Sequence, residues 1–271
     1  MFVLLCILNG KKIAERTIRA LKKEVEKLNP KPCLAIIKIG KDKASDIYIK
    51  AKKKACEEIG ISLVEYGLSE YTKEKDIIML IELLNKGDAN GILVQLPLPK
   101  HINVKRIMDT ITPDKDVDGF NPASTFTPCT PKGIIRLLKE CDLQICGKKV
   151  VVVGCSEIVG KPVANLLLNE GATVTVCHSN TSNLSRETLQ ADILVVATGK
   201  PYLIKRDMVK EGAIVIDVGI NKVGKKIVGD VDFEGVKDKC SYITPVPGGV
   251  GPMTVAMLME NVVESYKNEP R

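Results

Sequence analysis

Apolar positions along this chain come in short continuous runs separated by longer amphipathic stretches. CLAIIKI (33–39), SLVEYGL (62–68) and GILVQL (91–96) have strand length, with helix-like segments at about 44–59, 73–86 and 102–110 around them. After Pro131 a helix-like GIIRLLKEC leads to KKVVVVG (148–154), ATVTVC (172–177), DILVVAT (192–198) and AIVIDVG (213–219). Continuous apolar runs predict strands buried on both faces, hence parallel sheets with helices on either side. KVGKKIVGDV (222–231) reads as a hairpin with glycine at its turn, and a last helix runs from about Met253 to Tyr266. At the other end, Phe2 to Leu8 reads as a buried strand followed at once by an amphipathic helix. The loop-like NPASTFTPCTP (121–131) divides the pattern, so the expectation is an α/β protein of two lobes with a cleft between them.

Composition narrows the class. A chain of 271 residues with ordinary apolar content supports one large domain or two smaller ones. No apolar run reaches membrane-spanning length, so no membrane association is expected. MFVLLCILNGKK lacks the charged start and A-x-A-like site of a signal peptide. Nine cysteines without a C-x-x-C pair and two distant histidines argue against a disulfide framework or a metal site, and for a reduced, cytoplasmic setting. Cys6, Cys33 and Cys177 lie in or beside apolar runs, as small hydrophobes do. The net charge of +7 is locally concentrated in KDKASDIYIKAKKK (41–54), which is short and poor in aromatics for a nucleic-acid surface. A small polyanionic substrate, or a plain solvated face, accounts for it as well.

VVVVGCSEIVGKP (150–162) is a strand, a glycine turn and a helix start, the arrangement that brings backbone close to a pyrophosphate at a helix N-terminus. Its spacing is G-x-S-x-x-x-G, through Gly154, Ser156 and Gly160. The next strand ends in Cys177, His178 and Ser179, with no carboxylate to hold an NAD ribose or repel a 2′-phosphate, which favours NADP over NAD. Lys161 and Arg186 are candidate phosphate partners. His178 is either catalytic, a contact to the cofactor or a structural residue. In DVGIN (217–221), Ile220 either lies against a nucleotide or packs in the core.

The first half carries different chemistry. Tyr48 and Lys52 stand four apart and share a helix face, whereas Lys50, Lys53 and Lys54 point elsewhere; Ser45 is an early helix or N-cap residue. Gln95 closes an apolar strand that Pro97 and Pro99 cannot continue, placing an amide where open α/β sheets bind ligands. PDKDVDGFNP (113–122) offers Asp116 and Asp118, with turn capping as the simple alternative. PVPGGVGPMTVAML (245–258) has glycines that admit close backbone approach.

S-x-x-Y-x-x-x-K, VQLPLP, KDVDG, PCTP, the G-x-S-x-x-V-G-x-P turn and PGGVGPMT occur in this order. Together, from ILNGKKIA to the final helix, they resemble the bifunctional methylenetetrahydrofolate dehydrogenase/methenyltetrahydrofolate cyclohydrolase family. The resemblance implies a folate-binding catalytic domain at 1–128, a Rossmann-like NADP-binding domain at 129–251, and a helix at 252–271 returning to the first. It implies NADP-linked oxidation of 5,10-methylenetetrahydrofolate and hydrolysis of the methenyl product to 10-formyltetrahydrofolate, within one-carbon metabolism and purine biosynthesis. It also implies a homodimer and a folate substrate that can be polyglutamylated.

By motif match, Lys52 is the catalytic lysine, Tyr48 the ring packed on the folate, Gln95 the partner of Lys52, and Asp118 the holder of the pterin's N–H groups. Gly154, Cys155 and Ser156 match the cofactor turn, and Ser179 and Ile220 further cofactor contacts. Pro247, Gly248 and Gly251 belong to the loop bordering both ligands. The residue types suit the chemistry. Hydride transfer needs orientation more than acid or base. Hydrolysis near neutral pH needs an amine whose pKa has fallen from ~10.4 toward ~7–8. Neutral Gln95 orients such an amine without locking it charged.

Cys155 and Asn180 stand where the family commonly carries arginine and a basic residue. NADP therefore remains the expected cofactor, with weaker discrimination against NAD. The alternatives are a monofunctional NAD-linked methylenetetrahydrofolate dehydrogenase, another two-lobed dehydrogenase such as a shikimate-type enzyme, and a non-catalytic nucleotide or nucleic-acid binder.

Overall fold

The structure, a computed structural model, describes residues 5–269, apart from the side chains of Lys43 and Ala44. Its first elements are β1 (Cys6–Ile7), α1 (Gly10–Val25), β2 (Cys33–Ile39), α2 (Lys43–Ile59), β3 (Ser62–Leu68), α3 (Glu74–Lys86), β4 (Gly91–Val94) and α4 (Val104–Thr110). Then follow α5 (Cys129–Glu140), β5 (Lys149–Val153), α6 (Gly160–Asn169), β6 (Thr173–Cys177), α7 (Leu184–Thr188), β7 (Ile193–Val196) and β8 (Ile214–Asp217). The last are β9 (Asn221–Val223), β10 (Lys226–Val228), α8 (Phe233–Val236), β11 (Tyr242–Ile243) and α9 (Val250–Asn268). The chain divides into two compact units: Glu15–Cys129 with Val255 onward, and Thr130–Thr254 with the N-terminal residues through Ala14.

In the first unit three parallel strands lie in the order β3-β2-β4. A single parallel bridge between Ile92 and Asp116 extends the sheet beyond β4. The strand β2 is apolar but for Lys38 because both faces are covered: Ala35, Ile37 and Ile39 belong to a cluster with Ile77 and Ile81 of α3, and Leu34 and Ile36 are equally buried. Each fully buried Leu or Ile contributes about 1.5–3 kcal/mol. Helix α2 starts where Asp42 accepts the N–H of Ser45 at 2.7 Å, and stops at Gly60, whose left-handed φ of 91° ends the helical run. The N-cap is therefore Asp42, with Ser45 in the first turn. Strand β4 ends at Val94, before Gln95 and the two prolines.

The second unit holds a six-stranded, wholly parallel sheet in the order β1-β11-β8-β7-β5-β6. The chain runs from β5 outward to β6, then returns past β5 to lay down β7 and β8. That reversal makes a switch point between the carboxyl ends of β5 and β7, the usual ligand position in open α/β sheets. Val151, Val153, Leu194, Val196 and Val215 share one buried cluster. The hairpin forms as β9 and β10, paired antiparallel.

Some expectations need correction. The described part of the first strand is only Cys6–Ile7, and both residues are exposed; Phe2–Leu4 lie outside the described residues. Cys33 is half-buried, and only Cys177 of the three cysteines behaves as a core residue. Helices α5 and α9 begin earlier than their prolines suggest, since Pro131 and Pro252 stand in first turns, where a missing N–H costs little. No helix among the described residues is long and apolar enough to cross a membrane.

Candidate active site

The carboxyl edge of the small sheet gathers three polar side chains from three elements. Lys52 lies on α2, Gln95 follows β4, and Asp118 follows the bridge at Asp116. The Gln95 N–H donates to the Ile37 carbonyl at 2.9 Å, which carries the sheet one residue past β4. Its side-chain amide is then held at both ends. Nε2 donates to the Leu96 carbonyl at 2.8 Å, and Oε1 accepts from Lys52 Nζ at 3.0 Å. This network, rather than visible hydrogens, sets which end of the amide is oxygen. Ser45 Oγ donates to the same Leu96 carbonyl at 3.1 Å and lies 2.9 Å from Asp42 Oδ2. The start of α2 is thereby fastened to the segment that carries Gln95, a link the sequence reading did not find.

Lys52 is 7% exposed. Burial pushes its pKa below the ordinary lysine value, with the negative charge of Asp118 pulling the other way. The other lysines of α2 differ: Lys50 and Lys54 are exposed, and Lys53 pairs with Glu65. Tyr48, one turn before Lys52, is half-buried, and burial raises its phenol pKa.

The two aspartates of KDVDG part company. Asp116 is buried and accepts the N–H groups of Asn121 at 2.8 Å and Gly119 at 3.2 Å. It is the turn-capping residue. Burial lifts its pKa to about 6, opposed in part by those N–H bonds. Asp118 receives no backbone N–H among the described residues. Burial raises its carboxyl too, while Lys52 and the nearby Cys129 thiol oppose that rise. Asp118 is half-buried and keeps acceptor capacity that Asp116 has spent on its own loop.

In the other unit, β5 ends at the predicted glycine turn. Gly154 has φ of 114°, and a Cβ there would fall 2.1 Å from the Ala197 carbonyl oxygen at the end of β7. A Cβ on Gly160 would fall 2.1 Å from the Gly154 carbonyl oxygen. The two glycines thus let the turn close at the switch point, with α6 starting against it. Ser156 Oγ accepts from the N–H groups of Val159 and Gly160 at 3.2 and 3.3 Å, so its hydroxyl organises the first turn of α6. Cys155 is half-buried beside it.

At the end of β6, His178, Ser179 and Asn180 are exposed. His178 Nδ1 accepts the Asn180 N–H at 3.1 Å, and the backbone N–H of His178 donates to Thr181 Oγ1 at 2.9 Å. The ring therefore shapes its turn. Lys161 pairs with Glu157, and Arg186 is an exposed residue of α7. Ile220 and Gly251 are brought together: a Cβ on Gly251 would sit 3.4 Å from Ile220 Cδ1. Pro247 is exposed, and the Gly248 carbonyl accepts the Lys11 N–H at 2.9 Å, tying this loop to the start of α1. A cavity of ≈ 250 Å³ bounded by Tyr202, Asp217, Gly229, Phe233 and Pro245 contains none of these residues. Among the described residues no cluster of three or more His, Cys, Asp or Glu side chains is placed to hold a metal ion.

Comparison with known proteins agrees with this division of labour. The catalytic-domain model of tetrahydrofolate dehydrogenase/cyclohydrolase matches residues 8–118, and the NAD(P)-binding-domain model of the same enzymes matches residues 128–270. The chain is 54% identical over 276 residues to the bifunctional protein FolD of Campylobacter hominis, a match covering 97% of each chain. The crystal structure of the bifunctional enzyme FolD from Campylobacter jejuni has a TM-score of 0.95 at 50% identity, covering 98% of this chain and 99% of that one. The methylenetetrahydrofolate dehydrogenase-cyclohydrolase of Trypanosoma brucei, solved with NADP cofactor and inhibitor, has a TM-score of 0.93 at 36% identity over 97% of both chains. Carrying both domains in series, and more than half identical to one relative over nearly its whole length, the chain belongs to the tetrahydrofolate dehydrogenase/cyclohydrolase family.

Proposed function

We propose that this protein oxidises 5,10-methylenetetrahydrofolate with NADP and hydrolyses the resulting methenyl cation to 10-formyltetrahydrofolate. The observation that carries the reading is the buried Lys52 amine held by the neutral amide of Gln95, in a chain so close to bifunctional relatives. Burial disfavours the ammonium, and Gln95 directs the nitrogen without a countercharge. Lys52 in its neutral form takes a proton from the water that attacks the one-carbon bridge. Asp118 accepts the N–H groups of the pterin, two parallel donors to one carboxylate. Those donors replace the water that burial removes and restore the charged form. The Tyr48 ring packs on the folate and limits its tilt.

The closed turn at Gly154 fits a dinucleotide, because bare backbone there allows a pyrophosphate to approach the start of α6. Gly154, Cys155 and Ser156 hold the phosphates, Ser179 the ribose side, and Ile220 and Gly251 the ring end; Pro247 and Gly248 border the folate. When bound, the nicotinamide accepts the hydride from the one-carbon bridge. The chain's own share in that step is orientation. Lacking an acidic residue at the end of β6, it accepts a 2′-phosphate; lacking arginine at 155, it tolerates NAD better than relatives that have one. A homodimer in the cytoplasm, feeding one-carbon units to purine biosynthesis and accepting polyglutamylated folate, completes the reading.

Lys52→Met is the test. A methionine of similar length fills the same space, so the fold and folate binding should survive while methenyl hydrolysis is lost. Hydrolysis at the wild-type rate removes Lys52 from the mechanism. Hydrolysis absent from the wild-type protein itself would leave a monofunctional dehydrogenase.

A further inference from the structure

Helix α9 is apolar over most of its length, with Met257, Leu258, Val262 and Val263 buried. Asn261, Ser265 and, one residue past its end, Glu269 stand at intervals of four. They form one stripe along the helix, and the first two are buried, Asn261 completely. Each has partners on the segments that build the candidate site. Glu269 accepts from Asn90 Nδ2 at 2.7 Å, at the entry to β4. Ser265 Oγ lies 2.6 Å from the Asn90 carbonyl and 2.8 Å from that of Asp114. Asn261 Nδ2 donates to the Val117 carbonyl at 2.9 Å and the Thr127 carbonyl at 3.2 Å, and lies 3.6 Å from Cys129 Sγ.

Val117 and Thr127 bracket the loop that carries Asp118. The Val117 carbonyl belongs to the peptide that leads into Asp118, so fixing that plane places the Asp118 Cα and narrows the directions its side chain can take. Without Asn261 both carbonyls would be buried without this donor, a cost the loop would relieve by moving. Cys129 stands at the same junction: its thiol donates to the Val117 carbonyl at 3.3 Å and opposes the rise in the Asp118 pKa. Asp116 is held directly by N–H bonds within its loop, whereas Asp118 takes its direction from the backbone.

We propose that Asn261 is a positioning residue for folate: it clips both ends of the Asp118 loop and so aims the Asp118 carboxylate at the pterin. The proposal rests on the reading of Asp118 as the pterin's partner. Asn261 touches no substrate; it acts through the loop, and its effect therefore falls on one ligand.

Four proteins decide it: wild type, Asn261→Leu, Ser265→Ala and Asp118→Asn. Michaelis constants for methylenetetrahydrofolate and for NADP are measured separately, with melting temperatures alongside. Asn261→Leu should raise the folate KM about tenfold, the loss of one good hydrogen bond to a charged group, and leave the NADP KM within about twofold. Ser265→Ala loosens the same helix one turn on, so it should lower the melting temperature with the folate KM unchanged. A folate KM near wild type in Asn261→Leu overturns the proposal. So does an equal rise for both ligands, or a Ser265→Ala variant that reproduces the folate effect. Should the leucine variant fail to fold, Asn261→Ser, which keeps one donor on a shorter arm, is read by the same ratio. If Asp118→Asn leaves the folate KM unchanged, the pterin reading of Asp118 fails and this inference with it. If Asp118→Asn raises it and the Asn261 variants do not, only the Asn261 assignment fails.

Discussion

Replacing Gln95 by glutamate tests the neutrality of the amide beside Lys52. The exchange keeps the side-chain length and puts a negative charge where Oε1 now accepts from Nζ at 3.0 Å. Two unit charges at that distance attract by about 5.5 kcal/mol at an effective dielectric of ~20, and by about 1.4 kcal/mol at ~80. Gln95 is half-buried, so the interaction falls between these limits. The ammonium is then favoured over the amine by roughly ten- to ten-thousand-fold. Methenyl hydrolysis, followed by loss of the cation's absorbance, should slow at least about tenfold at pH 7. The rising limb of its pH–rate profile should move to higher pH. Dehydrogenation, which needs orientation from this group, should keep most of its rate. Gln95→Leu carries the opposite sign: losing the acceptor disfavours the ammonium further, and the limb should move to lower pH. A Gln95→Glu profile that superimposes on wild type would mean that Lys52 does not ionise in the rate-limiting step.

Three further outcomes follow from the geometry. Gly154→Ala places a methyl 2.1 Å from the Ala197 carbonyl at a φ of 114°, strain of order 1–3 kcal/mol or more; the NADP Kd by calorimetry should rise over about tenfold, and an unchanged Kd would remove the turn from cofactor binding. Burial raises Asp217 from 3.8 to about 6, so the folded state binds the proton more tightly and stability is lost as pH rises through that window. The urea stability of wild type relative to Asp217→Asn should therefore decline between about pH 4 and 6 by up to ~3 kcal/mol; a gap that widens in favour of wild type would reverse the sign and refute it. Cys155→Arg supplies the missing partner for a 2′-phosphate and should raise the NADP over NAD preference in kcat/KM about tenfold; no change would place the 2′-phosphate elsewhere.

The strands were legible where the chain left a strand-length apolar run. CLAIIKI became β2 residue for residue, buried on both faces, and SLVEYGL became β3 as fully, although that edge strand stays partly exposed along its length. GILVQL lost its last two residues: the Gln95 N–H still reaches the Ile37 carbonyl, but Pro97 has no N–H with which to carry the ladder on. Two-residue strands left no period to read. β11 went unseen, and β1 was read as longer and more buried than its described residues are. Within the candidate site, Tyr48 and Lys52 could be named because they share a helix face, and Gln95 because it ends an apolar strand; Asp118 was named by the resemblance. The residue pattern alone does not separate Asp116 from Asp118, since both are acids in one turn and only the direction of neighbouring N–H groups tells them apart. Asn261 did leave a trace, a polar residue every fourth position on an apolar helix, but what it grips lies far away in sequence.

Neither compact unit is a continuous stretch of chain, because α1 and α9 each begin in one and finish in the other. On the ribosome, the segment bearing Lys52 and Gln95 emerges early, yet its loop clips arrive only with the final turns of α9. Nascent chains stalled short of Asn261 should accordingly bind folate more weakly, however complete their sheet, and affinity for the substrate should rise only once α9 has emerged.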